Sequence, residues 1–81
     1  MNNNIKANTY WYDEEYDVYV YVKENSETTY SEVVVSLNPP YISYFTDGLS
    51  SLVSSYTPTT KEKFEETYAE TCDILSEAVY E

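Results

Sequence analysis

The sequence predicts an α+β fold in which a three-stranded antiparallel meander is followed by two helices packed on one face of the sheet (βββαα). Apolar and polar residues alternate with period two over residues 9–37, and the apolar residues then change to a helical spacing from Ile42. Period two sends alternate side chains to opposite faces of a sheet, whereas a 3.6-residue period collects them on one stripe of a helix. Strands that precede helices along the chain are typical of an α+β domain.

The predicted meander has turns near residues 13–15 and 23–27 and ends at Asn38-Pro39-Pro40. β-Branched and aromatic residues dominate the runs between these breaks, as strands require. The first strand covers residues 9–12. Trp11 is placed in the core, because one tryptophan contributes much apolar area to a thin core.

The predicted register of the longer hairpin follows from a two-residue turn at Asn25-Ser26. This turn pairs Val18 with Val33 and Tyr21 with Tyr30, so that apolar residues meet on both faces. The valines then lie on the face that the helices cover, and the tyrosines lie on the face that remains open.

After the prolines, the apolar spacing predicts a first helix over residues 42–56. Its apolar residues recur at helical intervals and fall on one arc of about 80°. They are Ile42, Phe45, Leu49, Leu52, Val53 and Tyr56. Gly48 lies within this run and leaves open whether the helix is split there.

A second helix is predicted after Pro58, where Thr59 and Glu62 form the S/T-x-x-E pattern of a capping box. An apolar stripe provides its buried face. The stripe consists of Phe64, Tyr68, Cys72, Leu75 and Val79. Cys72 is interpreted as a buried small hydrophobic residue and not as a nucleophile, because the chain contains no histidine to activate its thiol.

Composition limits the possible functions more than any motif does. The 81 residues include 15 acidic and 4 basic side chains, for a net charge of −11, with one cysteine and no histidine. The chain therefore lacks the basic patch that direct nucleic-acid binding needs, the ligands of a structural zinc site and the second thiol of a disulfide. We expect no cofactor, no membrane span, a cytoplasmic location, a flexible segment at residues 1–8 and one domain at residues 9–81. The charge favours a basic protein partner.

Five acidic residues recur on the predicted last helix at intervals of three or four residues. This acidic stripe consists of Glu62, Glu66, Glu70, Asp73 and Glu77. Their helical angles lie within about 80° of one another, opposite the apolar stripe, and the row is about 22 Å long. Its charge spacing is of the same order as that of the phosphates along a DNA strand. The alternative is an ordinary solvated helix face.

A second acidic group, the acidic turn, consists of Asp13, Glu14, Glu15 and Asp17. It is either a polar hairpin turn or a second contact for a basic partner. Asp13, Glu15, Asp17 and Glu24 also match four ligand positions of a calcium-binding loop. However, Val18 stands where such a loop needs glycine, and the residues that follow it are predicted as a strand.

Tyrosine is the third feature, with 11 residues in the chain. Tyr19, Tyr21 and Tyr30 are predicted on the open face of the sheet, together with Tyr10 and Tyr12. Tyrosine supplies a large contact area at small entropic cost and is enriched at binding hot spots, so these rings are candidate anchors for a partner. Cross-strand pairing that stabilises the sheet is the alternative. We expect a monomer or a weak dimer, because the charge opposes self-association.

In these features the chain resembles the small acidic inhibitors encoded by phages and mobile elements, among them anti-CRISPR proteins and other DNA mimics. The resemblance lies in the short acidic chain, in a small sheet beside an acidic helix over residues 59–81, and in the acidic turn. It implies a protein without enzymatic activity whose carboxylates take the place of phosphates. Some inhibitors of similar layout occupy the site where an RNA-guided nuclease reads the protospacer-adjacent duplex.

The leading hypothesis is therefore a DNA mimic that blocks the basic DNA-binding site of a host defence nuclease in the bacterial cytoplasm. The acidic stripe replaces phosphates, the acidic turn forms a second contact, and Tyr19, Tyr21 and Tyr30 act as anchors. The second hypothesis is an acidic adaptor or antitoxin-like module that neutralises a basic protein. An enzyme is disfavoured, because the chain has no histidine, no arginine and a single glycine. A calcium module is disfavoured, because Val18 stands where the loop needs glycine.

Overall fold

The computed structural model describes residues 6–26, 29–47 and 56–80, and within these ranges it contains five strands and one helix. The elements are β1 (Thr9–Asp13), β2 (Val18–Asn25), β3 (Tyr30–Leu37), β4 (Pro40–Asp47), β5 (Tyr56–Pro58) and α1 (Lys61–Tyr80). The strands form one antiparallel sheet in the order β4-β3-β2-β1-β5. The prediction of three strands and two helices is wrong, although the fold is α+β.

The Asn38-Pro39-Pro40 sequence does not end the sheet as predicted. Asn38 and Pro39 form a tight turn with a cis peptide bond between them, and Pro40 begins β4 opposite Leu37. The sheet tolerates proline at this position because Pro40 is the first residue of an edge strand. The chain therefore returns along β3 instead of leaving the sheet.

The described part of the predicted first helix is strand β4. Residues 41–46 are aromatic, β-branched or small, a composition that strands favour. Pairing with β3 along the whole of β4 outweighs the helical spacing of Ile42 and Phe45. The predicted helix residues 49, 52 and 53 and the question of a break at Gly48 lie outside the described residues. Tyr56, the last residue of the predicted helix, begins β5.

The turn of the β2–β3 hairpin is longer than predicted. Asn25 pairs with Tyr30 instead of lying at the tip of a two-residue turn. The Ser26 amide donates to the Thr29 carbonyl at 2.8 Å, and the Thr29 amide donates to Ser26 Oγ at 3.1 Å. The longer turn alone would keep the predicted faces, because it moves the register by an even number of residues.

A β-bulge at Lys23 reverses the faces of the hairpin. Val22 lies opposite Glu32, but Glu24 lies opposite Ser31, so Lys23 is the extra residue between the two pairs. Because side chains alternate with period two, one extra residue moves every later side chain of β3 to the other face.

The predicted pairs of the hairpin are therefore wrong. Tyr21, and not Val18, lies opposite Val33, and Tyr30 lies opposite Asn25. Each face of the sheet therefore carries both valines and tyrosines, which the prediction had placed on opposite faces. The valine face carries Trp11, Asp13, Val18, Val20, Val22, Glu32, Val34, Tyr41, Ser43, Phe45 and Tyr56, and the tyrosine face carries Tyr10, Tyr12, Tyr19, Tyr21, Val33, Val35, Ile42 and Tyr44.

Helix α1 packs on the tyrosine face and not on the valine face as predicted. The Phe64 ring lies 5.5 Å from the Tyr10 ring and 6.1 Å from the Tyr21 ring, centroid to centroid. The bulge supplies the reason, because it adds Val33 and the fully buried Val35 to the tyrosine face. On the valine face, Val18, Val20 and Val22 form a buried cluster with Tyr30, against which Trp11, Val34 and Tyr56 pack.

The buried stripe of α1 differs from the predicted one after its first residue. Phe64, Thr67 and Thr71 are buried, whereas Tyr68 and Cys72 are exposed. The two threonines permit a close approach to the sheet, and both hydroxyls are satisfied by hydrogen bonds. Thr71 Oγ1 donates to the Ser36 carbonyl at 3.2 Å, and Thr67 Oγ1 donates to the Lys63 carbonyl at 3.0 Å.

The C-terminal turns of α1 are also more exposed than predicted. Leu75 is half-buried and Val79 is 74% exposed, although both belong to the predicted buried stripe. Residues 76–79 are all exposed, so the last part of the helix makes little contact with the sheet. In the described part of the chain, no helix has the length and apolar character needed to cross a membrane.

The N-cap of α1 is Thr60 and not Thr59 as predicted. Thr60 Oγ1 accepts a hydrogen bond from the Lys63 amide at 3.1 Å, and the Thr60 carbonyl accepts one from the Phe64 amide. The Thr59 amide instead donates to the Tyr10 carbonyl, which extends the pairing of β5 with β1.

Replacing the capping hydroxyl is expected to destabilise the protein. Thr60→Ala should lower the free energy of unfolding by about 1 kcal/mol, because it leaves a helix amide without its acceptor. Urea denaturation followed by far-ultraviolet circular dichroism measures the change. Thr59→Ala is the matched control and should have the smaller effect; the reverse order would show that Thr59 caps the helix after all.

Candidate functional site

The acidic stripe lies on one continuous helix and faces away from the sheet. All five of its residues are exposed, and they project opposite the side on which Phe64 and Thr71 are buried. Because α1 is unbroken over its 20 residues, the row retains the predicted length of about 22 Å. This part of the predicted site has the predicted geometry.

The charge of the acidic stripe is not neutralised within the described part of the chain. The ion pair found there joins Lys61 Nζ to Glu65 Oε2 at 4.0 Å, and Glu65 is not part of the stripe. The last turn of α1 contains no basic residue, although the negative end of the helix dipole favours one. Four neighbouring like-charge pairs together cost about 1–2 kcal/mol. The stripe therefore works against the stability of its own helix.

The structure divides the acidic turn into exposed and buried carboxylates. Glu14, Glu15 and Asp17 are exposed, whereas Asp13 is buried at the end of β1 and accepts a hydrogen bond from the Glu15 amide at 3.0 Å. Asp17 has a positive φ of 55°, a conformation that aspartate tolerates better than most residues. The turn therefore offers three carboxylates to a partner, not four.

The calcium-loop match has no support from the fold. Strand β2 begins at Val18, so the second half of the matched segment is extended and paired with its neighbours. The described ranges contain no group of three or more side chains placed to hold a metal ion.

The acidic turn and the C-terminal half of the acidic stripe lie toward the same end of the sheet. Thr71 is bonded to the Ser36 carbonyl, and Ser36 follows the residue that pairs with Tyr19. In antiparallel pairing that position lies beside Val18, the first residue after the acidic turn. The register therefore brings the two acidic groups to one end of the molecule.

The predicted tyrosine anchors do not share an open face. Tyr21 is half-buried under α1 and stacks on Tyr10 at 4.8 Å between ring centroids. Tyr19 is half-buried and packs against Tyr12 at 5.1 Å. Tyr30 is 3% exposed and belongs to the core of the valine face. The placement of Tyr19, Tyr21 and Tyr30 on one exposed plate is wrong, because α1 covers the tyrosine face and the bulge moves Tyr30 to the core of the valine face.

Tyr12 connects the sheet to the acidic turn. Its hydroxyl donates a short hydrogen bond to Asp17 Oδ1, and this bond is the main reason that the pKa of Tyr12 rises from its ordinary value of 10.0 to about 12. The folded state thus favours the neutral phenol. Its contribution to stability is present below pH 10 and is lost as the pH rises through about 12.

Removing the Asp17 charge is expected to lower the pKa of Tyr12 toward 10.0, its ordinary value. Asp17→Asn tests this, because asparagine also tolerates a positive φ and preserves the turn. NMR of ring-labelled tyrosine during an alkaline titration measures the pKa of Tyr12 directly. Glu15→Gln is the control and should leave this pKa almost unchanged. An unchanged pKa in Asp17→Asn would show that the hydrogen bond is not its cause.

Exposed aromatic residues are concentrated on the edge strand β4, where the sequence did not predict them. Tyr44 and Phe45 are 60% and 59% exposed and lie on opposite faces, and Tyr41 is 40% exposed. The sequence pattern did not predict this exposure, because the helical spacing of the apolar residues placed Phe45 on the buried stripe of a helix. The available signal was the run of aromatic and β-branched residues directly after the prolines.

A buried carboxylate on the valine face was also missed. Glu32 is 6% exposed, and its Oε1 accepts hydrogen bonds from the hydroxyls of Tyr30 at 2.6 Å and Tyr56 at 3.0 Å. Burial is the main cause that raises the pKa of both tyrosines above the ordinary range, and the Glu32 charge adds to it. Both hydroxyls therefore stay protonated and donate to the carboxylate.

Comparison of the chain with protein-family models, with curated proteins and with solved structures finds no match.

Proposed function

We propose that this protein is a DNA-mimic inhibitor without enzymatic activity, which blocks the DNA-binding site of a host defence nuclease in the bacterial cytoplasm. The single observation that carries the proposal is the acidic stripe. It is an exposed row of carboxylates on a continuous helix, opposite the buried face of that helix.

The physical case rests on preorganisation. Helix α1 is packed on the sheet through Phe64, Thr67 and Thr71, and this packing holds the carboxylates of the same turns in place before binding. Little conformational entropy is therefore lost when a basic cleft closes on them. Among the described residues no lysine forms an ion pair with a stripe acid, so a partner's lysines and arginines meet no internal competitor. The stripe destabilises its own helix through like-charge repulsion, and a cationic cleft would relieve that repulsion.

The three exposed carboxylates of the acidic turn supply a second contact. They lie toward the same end of the sheet as the C-terminal half of the acidic stripe, so one basic surface can contact both groups. Because these charges are exposed, association should weaken as the salt concentration rises, with screening over about 8 Å at physiological ionic strength.

A DNA-binding competition assay tests the proposal. Purified RNA-guided nucleases and restriction enzymes are incubated with a fluorescent duplex while this protein is titrated in, and DNA binding is followed by fluorescence anisotropy. We expect at least one nuclease to lose its DNA at micromolar protein, and the inhibition to weaken with added salt. Retained DNA binding across the panel, at low salt and micromolar protein, would reject the DNA-mimic proposal.

An acidic adaptor or antitoxin-like module that neutralises a basic protein is the second candidate, and the exposed aromatic residues of β4 favour it. Such a module would depend on apolar contacts as well as on charge. The double variant Tyr44→Ala with Phe45→Ala should abolish partner binding by an adaptor. In a DNA mimic, the same variant should leave competition with DNA largely intact.

A further inference from the structure

A hollow opens on the valine face, on the side of the sheet opposite α1. Its volume is about 430 Å³, which falls within the range of about 300–1,000 Å³ usual for ligand pockets. Aromatic rings from the acidic turn, from β3 and from both edge strands form much of its lining. They are Tyr16, Tyr30, Tyr41, Phe45 and Tyr56.

The polar part of this hollow is acidic. Glu32 and Asp13 line it, and both are more than nine-tenths buried. Glu32 accepts hydrogen bonds from two neutral tyrosine hydroxyls, those of Tyr30 and Tyr56, and both bonds end on Oε1. A buried carboxylate is costly unless a positive charge or several hydrogen bonds compensate it. Here hydroxyls orient the carboxylate, and they add no positive charge.

The described lysines of the chain do not line the hollow. Lys23 lies over the Tyr44 ring at 5.5 Å, on the tyrosine side of the sheet, and Lys61 pairs with Glu65 on α1. Lys6 and Lys63 are exposed at the N-terminal ends of β1 and α1. The hollow therefore contains a buried carboxylate among aromatic rings. In the described part of the chain, no lysine lies in the hollow to balance its charge.

We infer that this hollow binds the guanidinium group of an arginine side chain presented by a protein partner. Aromatic faces attract cations through their quadrupole, most strongly where water is excluded. Guanidinium is planar and more weakly hydrated than ammonium, so it stacks on rings and bonds to a carboxylate at a smaller desolvation cost than lysine. The Glu32 carboxylate pairs with the positive charge of the guanidinium group. The flanking rings of Tyr41, Phe45 and Tyr56 surround the guanidinium plane.

This binding site goes beyond the proposed function, because it lies on the face opposite the acidic stripe and uses a different mode of recognition. The stripe presents exposed charge to a basic cleft, whereas the hollow accepts one inserted side chain. The site can be tested without a partner. Failure of arginine binding would therefore leave the DNA-mimic proposal standing, and failure of competition with DNA would leave the arginine site standing.

The experiment titrates isotope-labelled full-length protein with Nα-acetyl-L-arginine methylamide and follows the backbone amides by NMR. We expect saturable shifts at Val20, Glu32, Val34 and Tyr56, with millimolar affinity. The citrulline analogue has the same shape without the charge, and it should bind at least about tenfold more weakly. The lysine analogue should also bind more weakly than the arginine derivative.

Variants of the hollow locate the binding. Glu32→Gln keeps the shape of the side chain, removes its charge and should weaken arginine binding about tenfold or more. Phe45→Ala should also weaken it, and this variant carries little risk of unfolding because Phe45 is 59% exposed. Tyr44→Ala is the matched control: Tyr44 is equally exposed on the adjacent position of β4, but it points to the other face.

Five results would overturn the inference. They are equal binding of the citrulline analogue, equal binding of the lysine analogue, undiminished binding by Glu32→Gln, equal losses in Phe45→Ala and Tyr44→Ala, and an absence of shifts around the hollow. The amides of α1 report folding in each variant, because the helix packs on the other face of the sheet.

Discussion

Reversing two charges at the centre of the acidic stripe, Glu66→Lys with Glu70→Lys, is expected to abolish inhibition of the target nuclease. Two attractive contacts with a basic cleft become repulsive, so the concentration needed for half-inhibition should rise about a hundredfold or more. The competition assay with fluorescent duplex measures it. The fold should survive, because both side chains are exposed and the change turns two of the four like-charge pairs along α1 into attractive pairs.

The control for this variant has the same net charge in a different place. Each Glu→Lys change removes one negative charge and adds one positive charge. Both Glu66→Lys with Glu70→Lys and Glu24→Lys with Glu65→Lys therefore change the net charge from −11 to −7. Glu24 and Glu65 are exposed and lie outside the acidic stripe. The control should retain most of the inhibition. Equal losses in the two variants would show that overall charge matters and that the ordered row does not, and this would contradict DNA mimicry.

The largest expected effect on stability comes from Phe64→Ala. Phe64 is buried and contacts the rings of Tyr10, Tyr21 and Tyr68 at 5.5–6.3 Å between centroids. Its removal should lower the free energy of unfolding by about 3–5 kcal/mol, through lost apolar burial, lost ring contacts and the remaining cavity. That is a large share of the roughly 5–15 kcal/mol that stabilises a typical domain. Urea denaturation, followed by circular dichroism and by tryptophan fluorescence, measures the loss.

The control for the packing of α1 is Val79→Ala. Val79 belongs to the same predicted apolar stripe but is 74% exposed, so its truncation should change the free energy of unfolding by less than about 0.5 kcal/mol. If Val79→Ala were as destabilising as Phe64→Ala, the last turns of α1 would be packed against the sheet, contrary to the structure. If Phe64→Ala were harmless, α1 would not pack on the tyrosine face.

Local patterns predicted the elements whose residue spacing is regular within a single segment of the chain. The alternation around Val20 gives strand β2, and the spacing of acidic and apolar residues over residues 61–80 gives α1. The faces of the sheet were not predictable in this way, because they depend on the single extra residue at Lys23. A bulge does not change the alternation of apolar and polar residues within either strand. It does change which side chains of the two strands lie on the same face of the sheet.

For strand β4 the pattern was present in the sequence but was interpreted as the wrong element. Ile42 and Phe45 fit a helical stripe, but they also fit an edge strand that carries apolar residues on both faces. The choice depends on the tight turn at Asn38-Pro39, which returns the chain along β3. Short apolar runs are ambiguous between helix and strand by periodicity alone.

The candidate site was predictable only where it lies on one element. The acidic stripe is a property of one helix, so its spacing alone placed it correctly on the exposed side. The hollow joins Glu32 on β3 to Tyr56 on β5 and Phe45 on β4, residues that only the tertiary fold brings together. A glutamate among the valines of a strand was the one local sign that this position is unusual, because buried carboxylates need specific partners.

The exposure of Cys72 makes the molecule easy to label at one place. It is the single cysteine of the chain, and its thiol lies on the surface of α1, one residue before Asp73 of the acidic stripe. A maleimide fluorophore would therefore attach at one position, on the helix that carries the row of carboxylates, without any engineered change. Its emission would report when a cationic surface approaches that helix, so the salt dependence of encounter is measurable on the native sequence.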